Sequence, residues 1–369
     1  MVEYIWQLEN WTQFPYDVER VLPVLSAFRK KQGYFLRHVY ELGFENELHA
    51  YAKIVEEDAL KTSAIEGITL DKEGVRSSIA AHLGLEQAGL RQASHEVDGL
   101  VTVLLDAVHN YAKPLDKKML CAWHRLLFPS AYVGLSKIAV GKFRTTQMQV
   151  VSGGYGKEKI HFKGPEPEQV QKQMQDFFQW WKKTQNSMDG IIRCALAHLY
   201  FVTIHPFDDG NGRLARVISD IALAQDEELQ RRFYSVSAQI MQERKRYYEL
   251  LEKTQKGDGD CTEWLLWFIS CLGRAIDLAA ETIATVLDKA DFWRKFVDTA
   301  VNERQKKVLN RLLDAGKDGF TGGLTTQKYM GMTKTSRATA FRDIDDLVHK
   351  NMLRPLAKGG RSTAYEIAL

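Results

Sequence analysis

The stretch of sequence that decides the fold is His205-Pro206-Phe207-Asp208-Asp209-Gly210-Asn211-Gly212-Arg213. Apolar residues with helical spacing come before it, at 191–204, and after it, at 213–224. A proline ends the first helix, so the loop leads into the N-terminus of the second, where unpaired backbone N–H groups favour an anion. The two glycines lack the Cβ atoms that would keep a phosphate away. The sequence therefore predicts a phosphate-binding loop between two helices.

Side chains in this loop and just after it supply the remaining parts of a reaction at phosphorus. His205 titrates near neutral pH and can accept a proton from a hydroxyl group. Asp209 offers the hard oxygen ligand that Mg²⁺ prefers beside phosphates. Arg213 and Arg216 add two guanidinium groups, which can bind phosphate oxygens through paired hydrogen bonds. Each fragment alone is common in turns and helix caps, but the whole string between two helices predicts a nucleotide site.

The string matches the signature of the Fic family, His-Pro-Phe-x-Asp/Glu-Gly-Asn-Gly-Arg-x-x-Arg, at every specified position, and the chain resembles that family. The resemblance implies a protein adenylyltransferase that moves AMP from ATP to a Ser, Thr or Tyr hydroxyl of a target protein, with Mg²⁺ as cofactor. In that reaction His205 would deprotonate the hydroxyl and Asp209 would hold Mg²⁺. The implied phosphate ligands are Gly210, Asn211 and Gly212 around the phosphates, Arg213 at the β-phosphate and Arg216 at the γ-phosphate. Related Doc-type kinases have Lys in place of the second glycine, so Gly212 favours AMP transfer.

Far upstream, Thr62-Ser63-Ala64-Ile65-Glu66-Gly67 resembles the inhibitory motif of the family, Ser/Thr-x-x-x-Glu-Gly/Asn. The resemblance implies that Glu66 pairs with Arg216. Because Arg216 cannot neutralise Glu66 and hold the γ-phosphate together, ATP would then bind in a pose unsuited to attack. The alternative is an ordinary exposed glutamate at a helix end. In some relatives the same glutamate supports AMP removal, so that activity and transfer of another phosphate-linked group stay open.

A β-hairpin is predicted between these two motifs. Residues 145–151 and 159–162 have extended character around the glycine-containing stretch 152–158. The hairpin resembles the Fic flap, which follows a Gly-x-Phe/Tyr-Arg element, here 141–144, and which binds a target segment as an added strand. The nucleotide contacts that the resemblance implies outside the loop are Met148 and Val150 in the hairpin, with Tyr248 and Gln255 at the adenine. Gln255 stands where many relatives have Asn, which leaves the base contact open.

The remaining segments are mostly helical in pattern, so we predict a mainly α fold: an all-helical Fic core with a β-hairpin flap, plus a C-terminal winged helix-turn-helix. Further helices are predicted at 45–65, 93–111, 167–183 and 262–289, the last with a break near Gly273, and Tyr247 and Tyr248 are placed before a helical stretch. The predicted domains are 1–90, an N-terminal module with the inhibitory helix 62–67, then 91–290, the Fic core, and 300–369, the winged helix. Aromatic residues in the first 40 positions either pack on the main body or form an exposed binding surface.

The C-terminal segment is basic, with 13 Lys/Arg against 7 Asp/Glu from 301 to 369, while the whole chain has a net charge of +3. Its pattern predicts helices at 301–315, 324–330 and 336–350, a turn at 331–334, and a wing at 352–355 and 364–367. The basic residues that could contact DNA phosphates are Lys334, Arg337, Arg342, Lys358 and Arg361. Asp343, Asp345 and Asp346 are expected in the same neighbourhood and would repel DNA. They favour a protein partner or a homodimer contact over DNA. The alternative from another class is a DNA-binding regulator in which the Fic core only senses nucleotide.

Bulk composition sets the outer limits of these predictions. The chain has 369 residues, 45% hydrophobic and 26% charged, which is typical of a globular protein. Its four cysteines form no C-x-x-C pair, so we expect buried, reduced thiols. No apolar run approaches the ~18 residues that a membrane span needs, and the first residues lack a signal-peptide pattern. We therefore expect a cytoplasmic protein with no membrane contact.

Overall fold

The computed structural model describes residues 3–85, 92–134, 136–152, 159–316, 320–356 and 363–368. Two short 3-10 helices come first, Ile5–Gln7 and Trp11–Gln13. The α-helices are α1 Val18–Tyr40, α2 Phe44–Ile65, α3 Lys72–Leu83, α4 His95–His109, α5 Lys117–Leu127, α6 Pro167–Thr184, α7 Gly190–Ile204, α8 Asn211–Glu227, α9 Val236–Gln242, α10 Arg244–Gln255, α11 Thr262–Lys295, α12 Glu303–Asp314, α13 Thr326–Thr333 and α14 Arg337–His349. The strands are β1 Tyr132–Val133, β2 Ser136–Lys137, β3 Gln149–Ser152, β4 Lys159–Lys163, β5 Leu353–Pro355 and β6 Tyr365–Ile367.

The predicted mainly α fold with a small hairpin is confirmed. In the described residues the strands form three two-stranded antiparallel sheets, β1–β2, β3–β4 and β5–β6. The chain divides into two compact units: the first contains residues 1–42 and 51–279, and the second contains residues 43–50 and 280–369. The predicted domain limits and the winged-helix assignment stay predictions.

The first unit is built around α7, which packs along α8. Every residue from Ile191 to Ile204 is buried; most are apolar on all faces of α7, and the polar Arg193 and His198 are satisfied by buried hydrogen bonds. Asp189 caps the helix by accepting the backbone N–H groups of Ile191 and Ile192. The helix ends at His205, whose φ of +51° is left-handed. This central pair of helices fixes both ends of the loop between them.

The helix after the loop begins earlier than the sequence predicts. Asn211 is the first residue of α8, and Gly210, at φ +80°, is its N-cap. Gly212 therefore lies inside the first helical turn and not in the loop. The physical reason is that a left-handed Gly210 already turns the chain, so the helix needs no second glycine to begin.

The aromatic residues near the N-terminus mostly pack on the main body. Trp11 and Phe14 are buried and meet the ring of Tyr200 on α7, with centroids 4.7 and 5.2 Å apart. Phe35 is buried as well, whereas Tyr34 is 59% exposed. The exposed-surface alternative is therefore wrong for three of these four rings.

Three further local predictions are corrected. The helix α11 runs without a break through Gly273, and Tyr247 and Tyr248 lie inside α10 and not before it. The first strand of the hairpin begins at Gln149, not at 145. It pairs with β4 through a register shift between Val150 and Val151, and the glycine-containing tip lies outside the described residues.

In the second unit, α12, α13 and α14 share one apolar core with the β5–β6 sheet. The predicted turn at 331–334 is displaced, because α13 continues to Thr333 and the chain turns at Lys334, with φ +52°. The expectation that Asp343 lies beside the basic residues is wrong. Asp343 is buried and accepts hydrogen bonds from the Arg304 guanidinium and the Tyr329 hydroxyl. Lys358 and Arg361 lie outside the described residues.

The prediction for the cysteines is met by the described residues. The four cysteines are all free and buried, at Cys121, Cys194, Cys261 and Cys271. Among the helices of the described segments, none combines the length and the apolar character that crossing a membrane requires.

Candidate active site

Loop 205–213 is held in place by its own side chains and by a buried arginine. Asn211 closes it from within: its Oδ1 accepts the Phe207 N–H at 2.9 Å, and its Nδ2 donates to the Phe207 carbonyl at 2.8 Å. Arg144 is 2% exposed and donates from Nε to the His205 carbonyl at 2.7 Å. The Arg144 backbone N–H donates to the Pro206 carbonyl at 2.8 Å. The loop is therefore preorganised without a ligand.

The tautomer of His205 follows from one contact. Its Nδ1 lies 3.1 Å from the Val202 carbonyl oxygen. A carbonyl can only accept, so Nδ1 bears the hydrogen and Nε2 is the unprotonated nitrogen. Burial lowers the pKa of His205 to about 4, although the hydrogen bond to Val202 opposes the shift. His205 is therefore neutral at physiological pH and can accept a proton at Nε2.

Two buried arginines follow the loop on the first turns of α8. Arg213 and Arg216 are 7% and 1% exposed. Within the described part of the chain, Arg213 Nε and Arg216 Nη1 are buried and have no hydrogen-bond partner. A buried donor without a partner is costly, so these two atoms could pair with an anionic ligand. They flank the N-terminus of α8, which favours the same charge.

Glu66 lies directly over this anion-binding turn. Its Oε1 is 2.7 Å from Arg216 Nη2, and a Cβ placed on Gly212 would come within 2.3 Å of the same oxygen. Burial alone would raise the pKa of Glu66, but the charge and hydrogen bond of Arg216 outweigh it and hold that pKa below its ordinary value. The Glu66 carboxylate is thus ionised, and it occupies space next to Gly212 where a phosphate would approach.

Thr62 completes the contact between α2 and Arg216. Its hydroxyl accepts from Arg216 Nε at 2.7 Å, and its carbonyl accepts from Nη2 at 3.0 Å. The C-terminal end of α2 is also held by Arg244, whose Nε donates to the Ile65 carbonyl at 2.8 Å. A cation at a helix C-terminus satisfies an unpaired carbonyl and matches the helix dipole.

The two residues that the sequence assigns to the adenine, Tyr248 and Gln255, both lie on α10 but differ in exposure. Tyr248 is 37% exposed, and its hydroxyl lies 3.5 Å from the Ile65 carbonyl. Its neighbour Tyr247 is buried, and its hydroxyl forms a hydrogen bond with His198 Nε2, so Tyr247 belongs to the core. Gln255 is the last residue of α10, is buried, and donates to the Thr203 hydroxyl.

The two hairpin residues also differ in their surroundings. Met148 is buried in a small apolar cluster with Tyr4 and Phe162. Val150 lies on β3 and is 36% exposed. Exposed apolar side chains also occur at Val151 and Ile160 of the same sheet.

The donor set of this site fits a divalent metal that arrives with a nucleotide. Within the described residues, no group of three or more His, Cys, Asp or Glu side chains could hold a metal by itself. Asp209 is a carboxylate that directly precedes the N-cap of α8, and its charge acts on Arg213. One or two carboxylates plus substrate phosphates are the usual protein ligands of Mg²⁺, so Asp209 suits that role.

Sequence reasoning missed two residues that shape this site. His124 on α5 approaches the Asp209 carbonyl, and Arg244 on α10 holds the end of α2. Neither belongs to a motif. Both act through main-chain groups more than 80 positions away in sequence, which no local pattern records.

Comparison with known families agrees with this geometry. Residues 114–223 match the model of the Fic/DOC family. This segment includes the hairpin, the loop and most of α8. Residues 4–85, which include α2 and Glu66, match a domain of unknown function, DUF4172.

Curated relatives share parts of the chain. The protein adenylyltransferase fic-1 of Caenorhabditis elegans is 29% identical over 220 residues, which are 55% of this chain and 39% of that protein. The protein adenylyltransferase Fic of Nematostella vectensis is 34% identical over 149 residues, which are 40% of this chain and 31% of that protein. The chain thus spans less than half the length of these relatives.

Solved structures show the same fold at lower identity. A Fic family protein from Desulfovibrio desulfuricans has a TM-score of 0.57 and 17% identity, covering 96% of this chain and 97% of its own. A Fic domain containing signaling protein from Bacteroides thetaiotaomicron has a TM-score of 0.51 and 18% identity, covering 71% of this chain and 98% of its own. These likenesses concern the fold alone.

Proposed function

Residues 114–223 form a Fic domain, and from this premise we propose that the protein is an adenylyltransferase. It would transfer AMP from ATP to a hydroxyl side chain of a target protein or of itself. The observation that most supports this is the pair of buried, unpartnered donors, Arg213 Nε and Arg216 Nη1, beside a helix N-terminus and a neutral histidine. Such an arrangement binds phosphates and provides a base next to them.

The proposed reaction is a substitution at the α-phosphorus of ATP. The hydroxyl oxygen of the target forms a bond to this phosphorus, and the bond between it and the oxygen bridging to the β-phosphate breaks. Pyrophosphate leaves with that oxygen, and the hydroxyl proton moves to Nε2 of His205. Gly210, Asn211 and Gly212 around the N-terminus of α8 would surround the phosphates, and Arg213 would bind the β-phosphate.

Asp209 is our proposed ligand of Mg²⁺. A bound Mg²⁺ would supply positive charge that stabilises the phosphates and the leaving pyrophosphate. For the adenine we propose Tyr248 and Gln255, and for further nucleotide contacts Met148 and Val150. The half-exposed ring of Tyr248 and the buried amide of Gln255 suit one apolar and one hydrogen-bonding contact.

The proposed enzyme inhibits itself through Glu66. Arg216 is the residue that would hold the γ-phosphate, and its guanidinium already binds Glu66 and Thr62. Because Glu66 Oε1 also lies over Gly212, an ATP molecule that enters must either bind around the carboxylate or displace it. The position of Glu66 at the end of α2 would therefore determine what fraction of the enzyme binds ATP in a reactive pose.

The target protein would bind along the β3–β4 hairpin by adding a strand. The exposed apolar side chains of Val150, Val151 and Ile160 give such a strand something to pack on. ATP use and four free, buried cysteines support the cytoplasm as its compartment.

The test is incubation with labelled ATP followed by mass spectrometry for an AMP adduct on a hydroxyl side chain. The wild-type protein, Glu66→Gly and His205→Ala are compared. We expect an adduct on the protein itself or on an added target, most with Glu66→Gly and none with His205→Ala. A Glu66→Gly protein that binds ATP but forms no adduct would overturn the proposal, and a phosphate or AMP-removal product would identify the alternative reactions.

DNA binding by the second unit is a second candidate function, favoured by one observation. Asp343 turns into the core, which leaves Lys334, Arg337 and Arg342 exposed without its opposing charge. Duplex binding that weakens steeply with salt would support this candidate. Self-association in sedimentation runs without duplex binding would instead favour a homodimer contact.

A further inference from the structure

His124 lies on α5 and is fully buried, at 0% exposure. Its Nε2 is 3.1 Å from the Asp209 carbonyl oxygen, and the Gly141 backbone N–H donates to its Nδ1 at 2.9 Å. A backbone N–H can only donate, so Nδ1 is an acceptor and the hydrogen is on Nε2. His124 is thus a neutral imidazole that donates to the Asp209 main chain.

The ring is also fixed in orientation. It stacks on Phe207 with centroids 4.3 Å apart and an interplanar angle of 18°, and Phe128 lies at 4.9 Å. Together, the two aromatic contacts and the two hydrogen bonds hold the imidazole ring in a single orientation.

The two partners of His124 belong to the two segments that build the site. Gly141, at φ +66°, starts the turn that leads to Arg144 and the hairpin. Asp209 is the last residue before Gly210, the N-cap of α8. A single side chain therefore joins α5, the start of the flap and loop 205–213.

We propose that His124 is a positioning residue, which holds the Asp209 main chain so that the Asp209 carboxylate and the N-terminus of α8 face a metal–nucleotide complex together. This inference rests on the proposed function, since it concerns the Mg²⁺-dependent part of nucleotide binding. His124 touches no substrate in this role. It acts through Asp209.

Two substitutions separate the two hydrogen bonds. In His124→Gln the amide nitrogen replaces Nε2 and keeps the bond to Asp209. In His124→Asn the amide oxygen replaces Nδ1, which keeps the bond to Gly141 and loses the one to Asp209. His198 is the matched control, because it is also 0% exposed and both of its ring nitrogens are hydrogen-bonded, to Ser219 and Tyr247, neither of which belongs to loop 205–213.

The experiment is calorimetric titration of ATP into the full-length Glu66→Gly protein with Mg²⁺ and with EDTA, with thermal unfolding measured in parallel. The readout is the factor by which Mg²⁺ strengthens ATP binding. We expect His124→Asn to lower this factor about tenfold and His124→Gln less than about threefold. His198→Asn should lower the melting temperature and leave the factor unchanged.

Equal loss in His124→Asn and His124→Gln, an unchanged factor in both, or the same loss in His198→Asn would overturn the proposal. If His124→Asn does not fold, His124→Gln decides alone, and a full loss of the Mg²⁺ effect in that folded variant overturns it. Binding is measured without any transfer step. Absence of AMP transfer in the Glu66→Gly parent would therefore count against the proposed function and not against the role of His124.

Discussion

Loop 205–213 and the end of α2 both have main-chain groups held by side chains, but only the end of α2 also places an ionised side chain against Arg216. The loop is fixed through its main chain, by Asn211 from within and by Arg144 and His124 from outside. The end of α2 is held at the site by side chains of α8 and α10, with Arg216 binding Thr62 and Glu66, and Arg244 binding the Ile65 carbonyl.

From this difference we expect the loop to keep its geometry and the end of α2 to change its contacts when ATP binds. Main-chain hydrogen bonds from buried partners give a loop one geometry. The Glu66 carboxylate, whose side chain is 29% exposed, is paired with Arg216, and a phosphate offers Arg216 the same kind of anionic partner in exchange. Changes in the loop should therefore abolish the reaction, and changes at the end of α2 should release it.

The largest effect is expected from His205→Ala. Removal of the base should lower AMP transfer by about 10²–10⁴-fold, because no other group accepts the proton. ATP affinity should change little, since His205 binds no phosphate in our proposal. Initial rates in the Glu66→Gly background check this, with exposed His109→Ala as the control. Transfer that survives in His205→Ala would show that another residue is the base.

Next in size is Glu66→Gly. Freed from the carboxylate, Arg216 should raise AMP transfer at least about tenfold at saturating ATP, which corresponds to about 1.4 kcal/mol. Glu66→Gln, which keeps a hydrogen-bond acceptor but loses the charge, should fall between wild type and Glu66→Gly. An unchanged rate in Glu66→Gly would remove the distinction drawn between the two regions.

A smaller gain is expected from Arg244→Ala. Losing the bond to the Ile65 carbonyl should loosen the end of α2 and raise AMP transfer about threefold. In the Glu66→Gly background the same substitution should add nothing, because the contact it weakens is already without effect. Lys245→Ala is the matched control, since that side chain is 93% exposed on the same helix. A gain that persists in the double variant would place Arg244 in nucleotide binding instead.

The smallest effect is expected from pH near neutrality. Only neutral His205 can act as the base, and its pKa is lowered to about 4 by burial. A lowered pKa keeps the active form present above that value and loses it below. The rate of the Glu66→Gly protein should therefore vary less than about twofold from His205 titration between about pH 6 and pH 8, and fall near pH 4. A midpoint close to 6.5 would show that this histidine is not buried during turnover.

How much of this was predictable from sequence differs between the same regions. Loop 205–213 and its flanking helices follow from local pattern, since proline, glycine and apolar spacing all act on near neighbours. The helix α1 does not, because Pro23 and Gly33 lie within it and its buried face decides the outcome. The same holds for α10: its many charged residues obscure the helical pattern, and the helix is stabilised by the packing of Tyr247 and Leu250.

Long-range contacts were predicted only where a family motif recorded them. The pair between Glu66 and Arg216 joins residues 150 positions apart and was expected from the inhibitory motif. The contacts of His124 and Arg244 to main-chain carbonyls are not predicted, because every residue has such a carbonyl and no residue type marks the one that accepts. Residues of that kind are visible only once the chain is folded.

The central claim is that Glu66 and the γ-phosphate of ATP compete for Arg216. Comparison of ATP with ADP tests it most directly, because only ATP has a γ-phosphate. Both nucleotides are titrated calorimetrically, with Mg²⁺, into the wild-type and Glu66→Gly proteins. We predict that Glu66→Gly tightens ATP binding about tenfold and changes ADP binding less than about twofold. Equal tightening of ATP and ADP, or no change in ATP binding, would contradict the account.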